Sequence, residues 1–476
     1  MQPKRQIYLL DPQQLSPETI AVTFAKTSRS PESFRDIAAE LTAASSADFN
    51  QKWVVGYGHS SVAEHAVLHI ALENVSRLAV ENIESNRLAS YTEKSTRYQT
   101  WEDDAFHLPA ELTGHPLEGL FTSACATLFS IYRSCIQAVI AHLKSNSQSQ
   151  AGESEAQLNR RLRSQAIDAC RFLLPAASLA NVGVTINARA LEHAVGKLLT
   201  SPLIEAQQIG AEIRHAASAS IPTLLKYADQ IPYLQHVCQQ FSALSIQVDA
   251  APEPDWCQLI GPQPDVLEKI LAAELYREQD MSFTQALKAI RTLPDHQKNT
   301  LLRCLLETPD RHTIPSRELE YAFFTFDLLI DQGAYFEVKR HRMMTQTAQL
   351  LTARFGYAIP ALITEAGMDA AYCAAMEKAR EVYDQLADFN PDVAAYIVPN
   401  GFNRRVLLHL NLRSLVHFIR LRSAPNAHFS VRRVAQRMAE EISAHFPELS
   451  PLLGRNENET LKNIETTFFT NTHVVS

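Results

Sequence analysis

A chain of 476 residues exceeds what one ordinary core supports, so two domains are the first expectation. With 46% hydrophobic and 20% charged residues, the composition is that of a globular protein with enough apolar side chain for two cores, and disorder is not the expectation. Lys plus Arg number 44 against 52 acids, a net charge of -8, so nothing global favours nucleic acid and any anion site must be local.

In chain order, the opening "MQPKRQIYLLDPQQLSPE" meets Asp11 before a signal-peptide core develops. No apolar run approaches the ~18 residues needed to span a bilayer. The expectation is a cytoplasmic protein with no membrane partner. "HAVLHIAL" is short, partly alternating and β-branched enough for a strand, and "SNRLASYTEKSTRY" (Ser85 to Tyr98) follows near the end of a helical-looking segment. Apolar 3.6 periodicity predicts helices over Leu120 to Leu143, Ala370 to Leu386 and Leu412 to Ile419. "KSNSQSQAGESEAQ" (Lys144 to Gln157) reads as a solvated loop, and "YAFFTFDLLI" as a second strand. Four prolines in "VDAAPEPDWCQLIGPQPD" (Val248 to Asp265) mark a linker.

The chain repeats itself. "INARALEH" (Ile186 to His193) and "LNLRSLVH" (Leu410 to His417) share Asn-x-Arg-x-Leu-x-His, and Pro175 and Pro399 precede them at one common offset of 224. Upstream, Arg87 matches Arg342 at 255 and Glu64 matches Glu320 at 256. The difference places extra residues in the first copy between Arg87 and Asn187, where the solvated loop lies. The expected domains are 1–229 and 263–476 joined by a linker at 230–262, each copy α+β with helices dominant.

Two positive zones stand out in this acidic chain. Gly401 to Arg433 holds seven Arg and no acid, and from Val338 to Thr364 the bases Lys339, Arg340, His341, Arg342 and Arg354 also stand without an acid. Arg gives fixed bidentate phosphate recognition because its guanidinium stays charged and forms a rigid fork. A solvated basic face is the plain alternative, but two aligned zones weigh against it. Aromatic residues interleave thinly, at Phe402, Phe418 and Phe429, so nucleic acid is a lesser alternative. Gly-x-Gly-x-x-Gly and Walker A loops are absent. His59, His65 and His69 fit neither zinc-protease spacing, so no metal is expected. Cys125, Cys135, Cys170, Cys238, Cys257, Cys304 and Cys373 are scattered, odd in number and never Cys-x-x-Cys, which argues against a disulfide scaffold and a zinc ribbon. With no candidate Ser or Cys nucleophile, catalysis by a bound cofactor is the economical idea.

These residues resemble the flavin-dependent thymidylate synthase family, whose signature is Arg-His-Arg, seven residues, Ser, then x-Arg-Tyr. The first copy keeps the tail as "SYTEKSTRY" but has Ser85-Asn86-Arg87 for the triplet. The second keeps Arg340-His341-Arg342, while strict counting puts Leu350 at the Ser position and a two-residue shift lays "TARF" (Thr352 to Phe355) over "STRY". "GHSSVAEH" and "AKTSRS" resemble further family segments.

The resemblance implies an α+β fold: two tandem copies of a small mixed or antiparallel sheet with long helices. It implies methylene transfer from 5,10-methylenetetrahydrofolate to dUMP, giving dTMP, with FAD relaying reducing equivalents from NADPH. It also implies a homodimer of fused copies resembling the family's homotetramer. The dUMP site implied is composite: Glu93, Ser95, Thr96, Arg97 and Arg171 from the first copy, Arg340 and a catalytic Arg422 from the second. The reciprocal site has Ala395 and Leu198 where Arg is needed. FAD contacts are implied for Ser61, Glu64, Asn187, Arg189, Arg340, His341, Arg342, Asn411, Arg413 and His417. Glu337 departs from the pattern by standing where the family carries Gln near phosphate, which opens the alternative of an FAD- and nucleotide-binding homologue with altered substrate or no catalysis.

Overall fold

Strands form where β-branched and aromatic residues alternate with polar ones, and here they build antiparallel sheets. The computed structural model describes residues 6–474 apart from 29, 57–59, 103, 147, 148, 150, 151, 245, 247–254 and 308–312, so His59 and the middle of the proline-rich linker lie outside the described residues. The chain divides into two units that interleave in sequence. One takes Met1–Lys94, Phe106–Glu118 and Ala177–Val248; the other takes Ser95–Ala105, Gly119–Ala176 and Asp249–Ser476. The units therefore cut across the sequence copies: residues 119–176, from the first half of the chain, belong to the second unit.

The first unit holds β1 (Val67–Ser76), β2 (Ala89–Glu93) and β3 (Leu179–Asn187) in the order β1-β3-β2. The second holds β4 (Cys257–Ile260), β5 (Phe323–Asp331), β6 (Thr345–Ala348) and β8 (Asn403–Asn411) in the order β4-β5-β8-β6, with β7 (Tyr357–Pro360) paired to β9 (Phe469–Val474). Every pairing is antiparallel. Phe324, Phe326 and Leu328 of β5 and Val406, Leu408 and Leu410 of β8 alternate inward to meet Leu415, Phe418, Val434 and Met438 from two helices. A large apolar side chain buried this way contributes about 1.5–3 kcal/mol, so this face fixes the register.

Sheet register proves the repeat at residue level. Val67 pairs with Asn187 and Phe323 with Asn411; Ser90 pairs with Thr185 and Thr345 with His409. These are the offsets of 256, 224 and 255 read from the sequence. Strict spacing thus holds through Ala348, which takes the place of Glu93 against Val406 as Glu93 stands against Val182. One cross-strand contact recurs with its residue types exchanged: His69 bonds Thr185 at 2.9 Å, and Thr325 bonds His409 at 2.9 Å. In each copy the shared Asn ends the last strand and caps the next helix, Asn187 accepting from the Ala190 amide and Asn411 from the Ser414 amide.

The three helices expected from periodicity are present as Glu118–Asn146, Asp369–Phe389 and Leu412–Arg422. Three expectations are corrected. Most of "SNRLASYTEKSTRY" is strand β2 and the turn after it, because Ala89, Tyr91 and Glu93 alternate along the edge of β3. The 230–262 span carries the helix Pro232–Ser242 and strand β4, whose Cys257 and Leu259 bury against β5. Finally, Glu118–Asn146 does contain an 18-residue window of mean hydropathy 1.4, long and apolar enough to cross a membrane by composition. Small and hydroxyl residues stand between its apolar ones. Its buried Phe121, Cys125, Leu128, Tyr132 and Cys135 recur at helical spacing, so one face packs inside the protein.

Candidate functional site

The second unit gathers a knot of arginines around one carboxylate. The helix Gln332–Lys339 follows β5 directly, capped by Asp331, whose Oδ1 accepts from the Ala334 amide at 2.8 Å. Every residue of this short helix is buried, including Glu337. Arg422, at the end of the helix Leu412–Arg422, donates from Nη1 to Glu337 Oε2 at 2.6 Å. Arg171 lies in the turn after the helix Glu155–Cys170, with Nη1 3.6 Å from Glu337 Oε1. Burial opposes ionisation of Glu337, but Arg171, Arg422, Arg340 and Arg97 together outweigh it and hold the carboxyl below its ordinary value.

Arg171 is 3% exposed and tightly positioned. Its Nη2 donates to the Gly333 carbonyl at 3.1 Å, and its own carbonyl accepts from Asn400 Nδ2 at 3.1 Å. A Cβ on residue 333 would crowd Asp331 Oδ1 at 3.1 Å and meet Arg171 Nη2 at an ordinary contact distance of 3.4 Å, so Gly333 leaves the Asp331 cap undisturbed beside the guanidinium. Nearby, Pro175 and Pro399, equivalent in the two copies, pair as an antiparallel bridge, with Ala176 donating to Val398 and Asn400 to Leu174. This bridge ties the Arg171 turn to the end of the segment that leads into β8.

Arg97 grips Asp168 with Nε and Nη2 at 2.9 and 2.8 Å and turns Nη1 to the Asn426 carbonyl at 3.1 Å. Ser95 and Thr96 lead into the same turn, half-buried and buried respectively. His428 is fully buried: Nδ1 accepts from the Ser430 amide, so Nε2 carries the proton and donates to the Asp168 carbonyl at 3.1 Å. Asp168 was missed in the sequence; its signal was a lone carboxylate one helical turn before Arg171.

Of the residues expected at FAD, six lie in the second unit. Arg422 Nε donates to His341 Nε2 at 2.9 Å, and the His341 and His417 rings are 5.6 Å apart. Burial first, then Arg422, His417 and Arg340, depress His341 to about 3, so the imidazole is neutral and its Nε2 lone pair can accept. Arg413 bonds Glu320 at 2.7 Å beside the Asn411 cap, while Arg340 and Arg342 flank His341. Cations and neutral imidazoles in partly exposed positions suit a diphosphate. In the first unit, Arg189 pairs with Glu64 as Arg413 does with Glu320, and Asn187 is the matching cap. Ser61 and Glu64 line a cavity of about 400 Å³ with Phe24, Phe49, Trp53 and His65.

Glu93 lies in the first unit, where its Oε1 accepts from Arg77 Nη1 at 2.6 Å, both side chains buried. Arg354, from the segment that the shifted alignment favours, lines a cavity of about 200 Å³ with Tyr357, Arg380 and Asp384. Among the described residues no group of three or more His, Cys, Asp or Glu is disposed to hold a metal ion.

The model of the thymidylate synthase complementing protein family matches residues 10–227 and again 262–448. A UPF0159 protein of Chlamydia muridarum is 31% identical over 433 residues, covering 87% of this chain and 82% of the relative. The flavin-dependent thymidylate synthase of Geobacter sulfurreducens is 26% identical over 215 residues, 44% of this chain but 82% of its own. A crystal structure of the Helicobacter pylori flavin-dependent thymidylate synthase, complexed with FAD and dUMP, aligns with 41% of this chain and 97% of its own at 18% identity and a TM-score of 0.30. A family model met twice, at the two copies that the strand registers define, leads to one assignment: the chain belongs to the thymidylate synthase complementing protein family, that of the flavin-dependent thymidylate synthases, as a tandem duplicate.

Proposed function

We propose that the protein is a flavin-dependent methyltransferase that converts dUMP to dTMP, using 5,10-methylenetetrahydrofolate as carbon donor and NADPH as reductant, at one composite site per chain. The observation that supports this reading is the convergence of Arg97, Arg171 and Arg422 near Glu337. Arg97, Arg171, Arg340 and Arg422 outnumber the carboxylates of Glu337 and Asp168 beside them, and a nucleotide phosphate would balance the excess charge. Arg171 and Arg97, with Ser95 and Thr96, would hold the phosphate. Arg422 would face the uracil ring, stabilising charge as N3 loses its proton, a preorganised effect typically worth a few kcal/mol.

Arg340, His341, Arg342, Asn411, Arg413 and His417 would hold FAD from the second copy, and Ser61, Glu64, Asn187 and Arg189 are their counterparts in the first. Reduced flavin supplies the hydride equivalent that turns a methylene into a methyl group. Two chains would assemble as a homodimer containing four copies. Glu337 favours a second reading, a flavin and nucleotide binder whose substrate differs or whose catalysis is lost, because a carboxylate already occupies the arginines. The test is direct: purified protein should be yellow and should release tritium from 5-labelled dUMP. Yellow protein that releases none selects the second reading, and colourless protein that takes up no flavin rejects both.

A further inference from the structure

The Glu337 carboxylate and a nucleotide phosphate compete for the same donors. Its Oε2 holds Arg422 at 2.6 Å and its Oε1 faces Arg171 at 3.6 Å, while the Nε of Arg171 is buried and has no hydrogen-bond partner among the described residues. Arg171 is thus only partly satisfied by the internal acid. A phosphate arriving at Arg171 would meet a carboxylate within a few ångströms, and each anion would raise the other's proton affinity. Asn82 stands at the equivalent place in the first copy, so the acid is particular to the copy that retains Arg340-His341-Arg342.

We propose that Glu337 is a specificity-determining residue that admits the ligand phosphate to Arg171 only together with one proton, shared between carboxyl and phosphate oxygens. The inference rests on the reading of the cluster as a nucleotide-phosphate site. The balance is simple: a dianionic phosphate and one solvent proton enter, no covalent bond changes, and Glu337 exchanges its ion pair for an O–H···O bond. Affinity must then fall tenfold for each pH unit above the second phosphate pKa near 6.

Of the groups facing Glu337, the other candidates to titrate on binding are two carboxyls, of which Asp331 is pushed up by burial. Arg171, Arg422, Arg340 and Arg97 stay charged at any working pH. His341, bonded to Arg422, and His428, behind Arg171, are held neutral by burial. On the Phe429–His445 helix packed against it, Arg433 is committed to Glu465 and Arg432 to Glu459. Two other carboxyls approach: Asp168 is forked by Arg97, and Asp331 is bonded by Ser430 and the Ala334 amide. Glu337→Gln separates Glu337 from both.

Calorimetric titration of dUMP into the flavin-loaded protein, repeated in buffers of different ionisation enthalpy, counts the protons. Wild type should take up one proton per dUMP at about pH 7 to 8.5, with affinity falling tenfold per unit. Glu337→Gln should take up none, hold its affinity flat with pH, and bind on the order of 10–100-fold tighter at the alkaline end. Wild-type binding without proton uptake overturns the inference and leaves the proposed function standing. If neither protein binds dUMP, the proposed function fails and the inference with it. The wild-type proton count decides even where the variant folds poorly.

Discussion

Arg97 and Asp168 meet as a fork on a carboxylate, Nε 2.9 Å from Oδ1 and Nη2 2.8 Å from Oδ2. The pair holds Arg97 in place while half-burying it, and Asp168→Ala would release the guanidinium to solvent. One lost charge-assisted contact amounts to about 1.5–3 kcal/mol, so dUMP should bind roughly 10–100-fold more weakly. Flavin absorbance should not change, and Asp168→Asn, which keeps one acceptor, should fall between. Equal loss of flavin and nucleotide binding would mean that Asp168 holds the fold rather than Arg97.

Arg77 and Glu93 form a buried ion pair, their side chains 3% and 5% exposed. The second copy has Gln332 and Ala348 at these places, both partners having changed together. Glu93→Ala alone strips Arg77 of this carboxylate and should cost about 3–5 kcal/mol. Adding Arg77→Gln should recover most of that. Urea denaturation checks it, and additive losses would deny the coupling.

His341 accepts from Arg422 through Nε2, which it can do only as neutral imidazole. Its pKa is about 3 in the folded protein against an ordinary 6.5, so the unfolded chain binds the extra proton. Stability from this group is therefore fully present above pH 6.5 and declines as pH falls toward 3. His341→Gln should flatten that decline in thermal melts taken from about pH 7 to 4. An unchanged slope would assign the acid sensitivity to other groups.

Arg422 divides its fork between Glu337 and His341. Arg422→Lys keeps the charge but cannot serve both directions, so turnover should fall by about 10²-fold or more while flavin content stays near wild type. Wild-type turnover in Arg422→Ala would eliminate its role.

Arg171 and Arg422 reach the same Glu337 within one chain. Flavin-loaded protein should accordingly bind one tight dUMP per chain, the reciprocal site lacking cations at Leu198 and Ala395. Refolding a mixture of Arg171→Ala and Arg422→Ala chains should restore no activity. Recovery in mixed dimers would place the site across chains, and two equivalent tight sites per chain would contradict the composite reading.

The repeat was legible in the sequence because the Asn caps, the paired Glu–Arg positions and strand periodicity are local demands, and each copy meets them at fixed offsets. The three long helices followed from apolar spacing for the same reason. What the sequence hid was set by distance in space. Asp168 was one acid among 52 until folding set it against Arg97, 71 residues away. Glu337 read as a single substitution beside a motif; only the convergence of a capped helix, the end of Leu412–Arg422 and the Arg171 turn made it a buried anion among guanidiniums. Nor could sequence order show that residues 119–176 join the second unit, since contact energy depends on which surfaces are buried together and not on their order along the chain.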